Sequence, residues 1–538
     1  MLLRRAEYET MVRDFRWTVP SRFNIGVAVT DVWAARDPQR PAILTARPDG
    51  ALAPTSFGAL AEGSNRFANV LRAAGVARGD RVAILLPQSP EVVIAHAAVY
   101  KLGAVALPLA ALFGVEALDY RLKDAGVRAL VTDAAGLAKT ATLRAGLPGI
   151  DVVVSVDGPD GAALGFREAL ERASPDFTAV DTSADDPAMM IYTSGTTGPP
   201  KGALHAHRVL PGHLPGVQFA HEFTPAQGDL FWTPADWAWA GGLLNALLPS
   251  LYFGVPVVAK ASVRFDPEEA FALMARAKVR NAFVPPTALR LLRAVDNPRG
   301  RFDLDLRTVA SAGETLGAET FAWAREALGL TVNEIYGQTE CNLVLGSCAA
   351  IGVSKAGAIG RPVPGHDAAV IRADGSRAAP GEIGQIAIRR PNPVMFLGYW
   401  SQPEATEKKY LGDWLITGDQ GIFDDDGYVR FLGRDDDVIT SSGYRIGPGE
   451  IEDCLLKHPA VALAAAVGKP DALRTEIVKA FIVLKPGVAQ GEALADELRR
   501  HVRTRLAAHE YPREIEFVSS LPMTTTGKII RRELRDRG

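Results

Sequence analysis

The sequence predicts an α/β protein in which a large N-terminal domain of parallel-rich sheets flanked by helices precedes a small, mobile α+β C-terminal domain. The chain has 538 residues, more than one hydrophobic core usually organises, so at least two domains are expected. Strand-like and helix-like segments alternate through most of the first 430 residues, which is typical of parallel sheets covered by helices. The pattern changes near residue 434. We therefore predict domains at 1–434 and 435–538.

Two helix–strand units near the start of the chain carry the parallel-sheet prediction. Ser56 is suited to cap a helix that Gly75 ends, and an apolar strand follows at 82–86. Pro90 opens a second helix, and the short apolar segment 104–109 follows it. The repeated order favours neighbouring parallel strands with helices across their faces.

The C-terminal segment predicts a compact module of mixed elements. In chain order these are a helix at 449–457, strands at 463–467 and 478–484, a helix at 492–508 and a strand at 514–518. The charged run Gly433-Arg434-Asp435-Asp436-Asp437 precedes the module. Its composition fits a solvated loop and equally a pivot on which the small domain reorients.

Composition excludes several classes of protein. Hydrophobic residues make up 47% and charged residues 22%, with a net charge of −3, so neither a nucleic-acid surface nor an integral membrane contact is expected. The three cysteines form no CxxC pair, which argues against structural zinc and fits a reducing compartment. Acidic residues interrupt the first fifteen positions, so no export signal is predicted and a cytoplasmic location is expected.

The segment YTSGTTGPPKG, from Tyr192 to Gly202, is the most informative part of the chain. An apolar strand leads into it, and its glycines let backbone N–H groups approach phosphate oxygens closely. Two prolines separate the last loop glycine from the lysine, so the segment is not a Walker A loop. A surface turn is the alternative. The candidate ATP ligands are Thr193, Ser194, Gly195, Thr196, Thr197, Gly198 and Lys201.

A second motif, Glu334-Ile335-Tyr336-Gly337-Gln338-Thr339-Glu340, places an aromatic ring and polar groups after a short apolar run. Tyr336 is suited to stack on a base, and Glu340 offers a carboxylate to the Mg²⁺ that accompanies ATP. Upstream, Gly313 and Glu314 follow Ser311-Ala312, where the glycine permits close approach to a flat ligand. Taken alone, each segment is equally consistent with an ordinary loop.

Two single residues complete the set of candidate ligands. Asp419 follows a tight Thr417-Gly418 turn, where a carboxylate accepts hydrogen bonds from both ribose hydroxyls. Lys528 ends the run TTTGK near the C-terminus, and its ammonium group is suited to a developing negative charge. Either residue alone is more often structural or solvated.

Together and in this order, the motifs resemble those of the adenylate-forming superfamily, which includes acyl-CoA synthetases, luciferases and peptide-synthetase adenylation domains. The resemblance covers the chain from about residue 30 to its end and is strongest to medium-chain acyl-CoA synthetases. It implies an ATP-dependent carboxylic acid:CoA ligase that makes acyl-CoA, AMP and diphosphate through an acyl-adenylate. It also implies ATP, Mg²⁺ and coenzyme A as cofactors, and it leaves monomer and homodimer open.

The resemblance assigns roles to individual residues. The loop 193–201 would wrap the β- and γ-phosphates, and 334–339 would line the adenine and the α-phosphate, with Gly313 and Glu314 beside them. Glu340 would hold Mg²⁺, and Thr339 and Lys528 would act with it in catalysis. The remaining assignments are Asp419 and Arg434 to the ribose, Asp436 to the pivot, and Ser442, Gly443, Tyr444 and Arg445 to the CoA tunnel.

The acyl pocket is the least determined part of the prediction. Acetate-specific relatives carry a tryptophan where this chain has Gly337, so a larger acid is expected to fit. Trp237 and Trp239, together with Gly313 and Gly337, are the candidate pocket residues, and their aromatic rings suit a medium, branched or aromatic chain. Plain core packing is the alternative for both tryptophans.

Two other functions remain open from the sequence. The first is an adenylating enzyme that loads a separate carrier protein, because only ten residues follow Lys528 and no carrier domain is among them. The second is a non-catalytic nucleotide-binding protein on the same scaffold. The joint presence of Lys528, Glu340 and Asp419 argues against the second, since a protein that only binds ATP has no need of all three.

Overall fold

The computed structural model describes residues 1–143, 146, 149–193, 199–262, 264–435, 437–441, 444–471, 474–506, 510–523 and 529–537. Four sheets organise these residues, three in the N-terminal part and one in the C-terminal part. No helix among them is both long and apolar enough to cross a membrane.

The first sheet has eight strands in the order β19-β9-β8-β4-β3-β5-β6-β7. The pairs from β8 through β4, β3, β5 and β6 to β7 are parallel, whereas β8–β9 and β9–β19 are antiparallel. Its strands are β3 Arg81–Leu85, β4 Val105–Pro108, β5 Val127–Thr132, β6 Val152–Ser155, β7 Leu164–Gly165, β8 Pro187–Thr193, β9 Lys201–Ala206 and β19 Gly398–Tyr399.

The second sheet has nine strands in the order β16-β15-β14-β13-β12-β10-β11-β1-β2. Its central strands are parallel and its two edges are antiparallel hairpins. Its strands are β1 Pro41–Ala46, β2 Leu52–Ser56, β10 Phe231–Trp232, β11 Val257–Ala259, β12 Asn281–Phe283, β13 Thr308–Ser311, β14 Val332–Gln338, β15 Asn342–Gly346 and β16 Arg361–Pro362.

The third sheet is antiparallel throughout, which departs from the alternation predicted for most of the first 430 residues. Turns join most successive strands here, and the longer β18–β20 connection contains β19 of the first sheet and the short helix α15, so no crossover helix returns the chain for parallel pairing. Its strands are β17 Ala368–Ile371, β18 Ile383–Arg389, β20 Tyr410–Leu411, β21 Trp414–Phe423 and β22 Val429–Arg434.

The fourth sheet belongs to the C-terminal part and has the order β24-β23-β26-β25, with β27 parallel to β26. Its strands are β23 Ile439–Ser441, β24 Tyr444–Ile446, β25 Val461–Asp471, β26 Thr475–Leu484 and β27 Glu514–Phe517. The predicted strands at 463–467, 478–484 and 514–518 are all present, and the β23–β24 hairpin is an addition.

Eighteen α-helical segments connect and cover the sheets within the described residues. They are α1 Tyr8–Asp14, α2 Val32–Arg36, α3 Phe57–Ala73, α4 Pro90–Lys101, α5 Val115–Asp124, α6 Ala134–Thr140, α7 Phe166–Arg172, α8 Val209–Ala220, α9 Ala240–Gly242, α10 Leu248–Phe253, α11 Pro267–Ala277, α12 Pro286–Leu292, α13 Pro298–Arg301, α14 Ala318–Trp323, α15 Pro403–Glu407, α16 Pro448–Leu456, α17 Glu492–Arg505 and α18 Arg531–Arg535.

Local signals placed the early helices well. The Ser56 hydroxyl accepts a hydrogen bond from the Ala59 amide at 3.2 Å, which caps α3, and Gly75 takes φ +86° beyond its end. α4 begins at Pro90 as predicted, and β3 and β4 follow the two helices in the expected order. The α/β class and the division into a large and a small part are confirmed.

Buried hydrophobic clusters pack the helices against the sheets in both parts of the chain. In the N-terminal part, Phe57, Phe67 and Tyr100 pack in one fully buried cluster with Phe231 of the second sheet, so helices join the first sheet to the second. In the C-terminal part, α16 and α17 cover one face of the fourth sheet, and α18 buries Leu534 against Phe481 on the other.

Candidate functional site

Strands β8 and β9 form a hairpin whose connecting loop is the predicted phosphate-binding segment. Thr193 and Lys201 are register partners at the mouth of this loop. Helix α5 holds both ends: the Tyr192 hydroxyl donates to Asp124 at 2.6 Å, and the Tyr120 hydroxyl donates to the Pro200 carbonyl at 3.0 Å. The predicted ligands Ser194, Gly195, Thr196, Thr197 and Gly198 lie outside the described residues.

The second motif reaches the third sheet through Asp419. The Tyr336 hydroxyl donates to Asp419 Oδ2 at 2.5 Å, and Gln338 Nε2 donates to the same oxygen at 2.6 Å. Gln338 also donates to the Thr417 carbonyl at 2.9 Å, so the end of β14 is tied to the start of the Gly418 turn. Burial raises the pKa of Tyr336, and Asp419 raises it further, so the phenol stays protonated and acts as a donor.

Asp419 is a buried carboxylate that can accept further hydrogen bonds. Its side chain is 6% exposed, and Arg434, its register partner on β22, lies 3.6 Å from Oδ1. Burial raises the pKa of Asp419 above its usual value, while Arg434 and the two donors on Oδ2 act in the opposite direction. A carboxylate accepts about four hydrogen bonds, so the arrangement leaves room for two hydroxyl donors, as a ribose requires.

Glu340 lies between the first and second sheets. Its carboxylate is buried and accepts a hydrogen bond from the Tyr399 hydroxyl, and its carbonyl accepts from the Phe396 amide at 2.9 Å. Lys201 Nζ lies 5.2 Å from the centre of the Tyr399 ring. Tyr399 therefore joins the end of the phosphate loop to the acidic residue of the second motif.

Sequence reasoning missed Tyr399. It stands 59 positions from Glu340, and no spacing rule links the two residues. The Gly-Tyr-Trp segment ahead of Pro403 was the available signal, because the polar groups of buried tyrosine and tryptophan usually find a hydrogen-bond partner.

The chemistry of Glu340 suits a Mg²⁺ ion held mostly by phosphates and water. Within the described part of the chain, no group of three or more histidine, cysteine, aspartate or glutamate side chains converges as a metal cage. Mg²⁺ in nucleotide sites typically takes one or two carboxylates and otherwise phosphate oxygens and water. A single buried carboxylate that faces the loop lysine through Tyr399 meets that requirement.

The segment 311–314 and the start of the motif 334–340 lie side by side in the second sheet. Ser311 on β13 is the register partner of Glu334 on β14, and Gly313 follows with φ +104°, a conformation that favours glycine. The Glu314 carboxylate accepts from the Thr287 hydroxyl at 2.8 Å and pairs with Arg290. The Glu314 side chain is thus oriented by α12.

The pKa of the Glu334 carboxyl group lies well above its ordinary value. Burial raises the pKa of Glu334 to about 8, while the Leu316 amide, 3.4 Å from Oε1, lowers it and the negative charge of Asp453 on α16 raises it. Gly317 lies against that same Asp453, since a Cβ built on it would be 3.0 Å from Asp453 Oδ1. Glu334 therefore lies near the contact between the N-terminal part and the small domain.

We expect Glu334→Gln to make the protein more stable than the wild type in alkaline solution. A carboxyl group whose folded pKa is raised costs stability as the pH climbs from its unfolded pKa, near 4.5, to its folded pKa, near 8. The variant lacks that cost, so its melting temperature should exceed that of the wild type by about 2 to 6 °C at pH 8.5 and match it near pH 4.5. Calorimetry across this range measures the difference.

The exposed Glu326→Gln is the matched control for this measurement, because it removes the same charge from the same part of the chain. Its melting temperature should follow that of the wild type at every pH. A Glu334→Gln difference that did not grow with pH would contradict the assignment of a raised pKa to this carboxyl group.

The two candidate tryptophans of the acyl pocket occupy different environments. Trp237 is 1% exposed and packs within the core between the first and second sheets. Trp239 is half-buried, and its ring meets Phe113 edge-on at 5.5 Å. Of the two, Trp239 is placed to contact a ligand without repacking the core.

Gly337 is required by the backbone around it. A Cβ built at this position would lie 1.4 Å from the Asn342 carbonyl oxygen, at the bulge between β14 and β15. A side chain at 337 therefore displaces the neighbouring strand. The backbone by itself explains the glycine, whatever its effect on pocket size.

Several predicted site residues lie outside the described residues. They are the hinge residue Asp436, the CoA-tunnel residues Ser442 and Gly443, and the catalytic Lys528. Tyr444 and Arg445 begin strand β24, and their side chains are also outside the described part. Ile335 is buried on β14, and Thr339 is half-buried in the turn that follows it.

Comparison with known proteins gives consistent results across the whole chain. Residues 30–400 match the family model described as AMP-binding enzyme, and 450–528 match that of the AMP-binding enzyme C-terminal domain. The chain is 34% identical to the mitochondrial acyl-coenzyme A synthetase ACSM3 of Mus musculus, over 99% of this chain and 93% of that protein. It is 35% identical to the uncharacterized acyl-CoA ligase YtcI of Bacillus subtilis, over 93% of each. The solved anthranilate CoA ligase AuaEII, in complex with anthranoyl-AMP, matches with a TM-score of 0.88 and 29% identity over 98% of both chains.

Proposed function

The chain belongs to the family of AMP-binding enzymes, and we propose that it joins a monocarboxylic acid of intermediate size to coenzyme A in two steps at one site. It is an AMP-forming acid–thiol ligase that consumes ATP and passes through an acyl-adenylate. The observation that carries the assignment of the site is the meeting of three sheets. Tyr336 and Gln338 donate to Asp419 there, and Tyr399 donates to Glu340 while Lys201 lies over its ring.

In the first step a carboxylate oxygen of the acid attacks the α-phosphorus of ATP. The bond between the α-phosphorus and the bridging oxygen breaks, and pyrophosphate leaves with the electron pair. Loop 193–201 holds the β- and γ-phosphates, with Lys201 at its end, and Asp419 and Arg434 orient the ribose. Glu340 would hold Mg²⁺, which would supply positive charge to the phosphates.

Lys528 acts between the two reactants in this step. The attacking carboxylate and the triphosphate are both anions, so a cation between them lowers the barrier through charge that develops in the transition state. Thr339, in the turn beside Glu340, acts with Lys528 in this step. The products of the step are a mixed anhydride of the acid with AMP, and pyrophosphate.

In the second step the sulfur of CoA attacks the acyl carbon. The thiol loses its proton, the carbon–oxygen bond to AMP breaks, and AMP leaves with the electron pair. The sulfur needs the position that the lysine held, so the domain 435–538 turns at Asp436 relative to 1–434. The segment Ser442-Gly443-Tyr444-Arg445 then borders the passage for the pantetheine arm.

The acid is a medium-chain, branched or aromatic monocarboxylate. Trp239, half-buried against Phe113, offers an apolar wall of a size that such a chain covers. The similarity to an anthranilate CoA ligase, whose substrate is an aromatic acid, supports an acid larger than acetate.

We expect acids of four to eight carbons and benzoate to be better substrates than acetate. Each added methylene that the pocket buries contributes about 0.8 kcal/mol, so two methylenes give butyrate a kcat/KM about 10-fold or more above that of acetate. The measurement is AMP release with a panel of acids from two to ten carbons, plus benzoate, with and without CoA.

The CoA arm of the panel separates the acceptors. Sustained AMP release that requires CoA supports the ligase, whereas equal turnover of a phosphopantetheinylated carrier protein without CoA identifies a carrier-loading enzyme. ATP binding without acid-dependent pyrophosphate exchange identifies a non-catalytic protein. Acetate as the best substrate would contradict the proposed size of the acid.

A further inference from the structure

Two aspartates on either side of position 436 are held by opposite domains. On the N-terminal side, the Asp435 amide donates to the Gly418 carbonyl at 2.8 Å. The Asp435 carboxylate accepts hydrogen bonds from the side-chain amides of Gln385 on β18 and Gln420 on β21. Asp435 is therefore fixed to the third sheet, in the N-terminal domain.

Asp437 is fixed to the C-terminal helix instead. Its carboxylate is 13% exposed, with Arg535 3.1 Å from Oδ1 and Arg531 3.7 Å from Oδ2. Arg531 also binds Glu452 on α16 at 2.7 Å, and Glu452 accepts the Ala466 amide of β25 at 2.8 Å. These contacts join the first residues of the small domain to α18, α16 and β25 together.

Backbone hydrogen bonds also link Arg434 to the residues that begin the small domain. The amides of Asp437 and Val438 both donate to the Arg434 carbonyl, at 2.9 and 2.8 Å. A change of backbone torsion between the two aspartates has to break these bonds, while the side-chain anchors on each side can stay intact. The anchors thus confine a rotation to the residue between them.

We propose that Asp437 is a positioning residue that, through Arg531 and Arg535, makes α18 and the segment before it turn with the hinge as one body. Arg531 stands three positions after Lys528, so at most about 11 Å of chain separates the clamped helix from the catalytic lysine. Without the ion pairs of Asp437 with Arg531 and Arg535, the lysine is badly placed and the rate of adenylation falls. This inference rests on the proposed function, in which Lys528 serves the first step and leaves before the second.

The test compares the two half-reactions in Asp437→Asn. Adenylation is measured as acid-dependent exchange of pyrophosphate into ATP, and thioester formation as CoA-dependent consumption of a synthetic acyl-adenylate. We expect adenylation to fall about 10-fold, because small misplacements of catalytic groups are costly, and thioester formation to change less than 2-fold. Arg532→Gln is the control, since Arg532 is an exposed neighbour on the same helix, and it should leave both rates unchanged.

A second variant tests the same ion pair even if Asp437→Asn fails to fold. Arg535→Gln removes the partner of Asp437 from the other side and should give the same selective loss, while the double variant should lose no more than Asp437→Asn alone. Equal loss of both half-reactions, or no loss, in the variants whose melting temperature is preserved would overturn the proposal. Lys528→Ala is run in parallel: if it leaves adenylation intact, the proposed role of Lys528 in the first step fails and the inference loses its premise. A failure confined to the Asp437 and Arg535 variants overturns only the role proposed for these ion pairs.

Discussion

Lys528→Ala should lose about 10²- to 10³-fold in adenylation and retain the second half-reaction almost unchanged. The carboxylate and the triphosphate repel each other, and the ammonium group is the protein's own cation between them, so its removal raises the first barrier alone. Thioester formation from a supplied acyl-adenylate needs no such cation, because the thiol attacks an already activated anhydride. The measurement is the ratio of the two half-reaction rates in the variant and in the wild type.

Lys485→Ala is a suitable control for Lys528→Ala. Lys485 is an exposed lysine of the same small domain, beyond the end of β26, and its removal changes the net charge by the same amount. Both of its half-reactions should match the wild type. If Lys528→Ala slowed both half-reactions alike, the lysine would have a structural role, and an undiminished rate of adenylation would remove it from the mechanism.

Local signals in the sequence predicted the starts of α3 and α4 well and the end of β25 poorly. Ser56 and Pro90 mark the starts of α3 and α4 because a cap and a proline act within one turn. In contrast, β25 was expected to end at Val467, before Gly468 and Pro470, yet it continues to Asp471. Its continued pairing with β26, which reaches Asp471 opposite Thr475, outweighs the local breakers.

In the site, too, the sequence identified residues but not the contacts between residues that are far apart along the chain. The motif 334–340 and Asp419 were recognised as candidate ligands from residue types and order. That Tyr336 and Gln338 bind one oxygen of Asp419 was not predictable, because 83 and 81 positions separate these pairs and only the packing of the second sheet on the third brings them together. The same holds for the contact of Glu340 with Tyr399.

Glu340→Gln should reduce kcat/KM for ATP by about 10²- to 10³-fold and raise the Mg²⁺ concentration needed for half-maximal ATP binding about 10-fold. The substitution keeps the shape of the side chain and an oxygen that accepts the Tyr399 hydrogen bond, so the turn after β14 should keep its fold. What it removes is the negative charge, which is the property a divalent cation needs from its protein ligand. Calorimetric titration of ATP at several Mg²⁺ concentrations separates the loss of metal affinity from the loss of rate.

Glu404→Gln isolates the effect of position from that of charge. Glu404 is exposed at the start of α15, five residues after Tyr399, and has the same charge without the burial. It should keep the wild-type dependence on Mg²⁺, because an exposed carboxylate is well solvated and holds no divalent cation by itself. An unchanged Mg²⁺ dependence in Glu340→Gln, with activity lost, would instead mean that Glu340 acts on the substrate through hydrogen bonding, and the metal would then have to be held by phosphate oxygens and other groups.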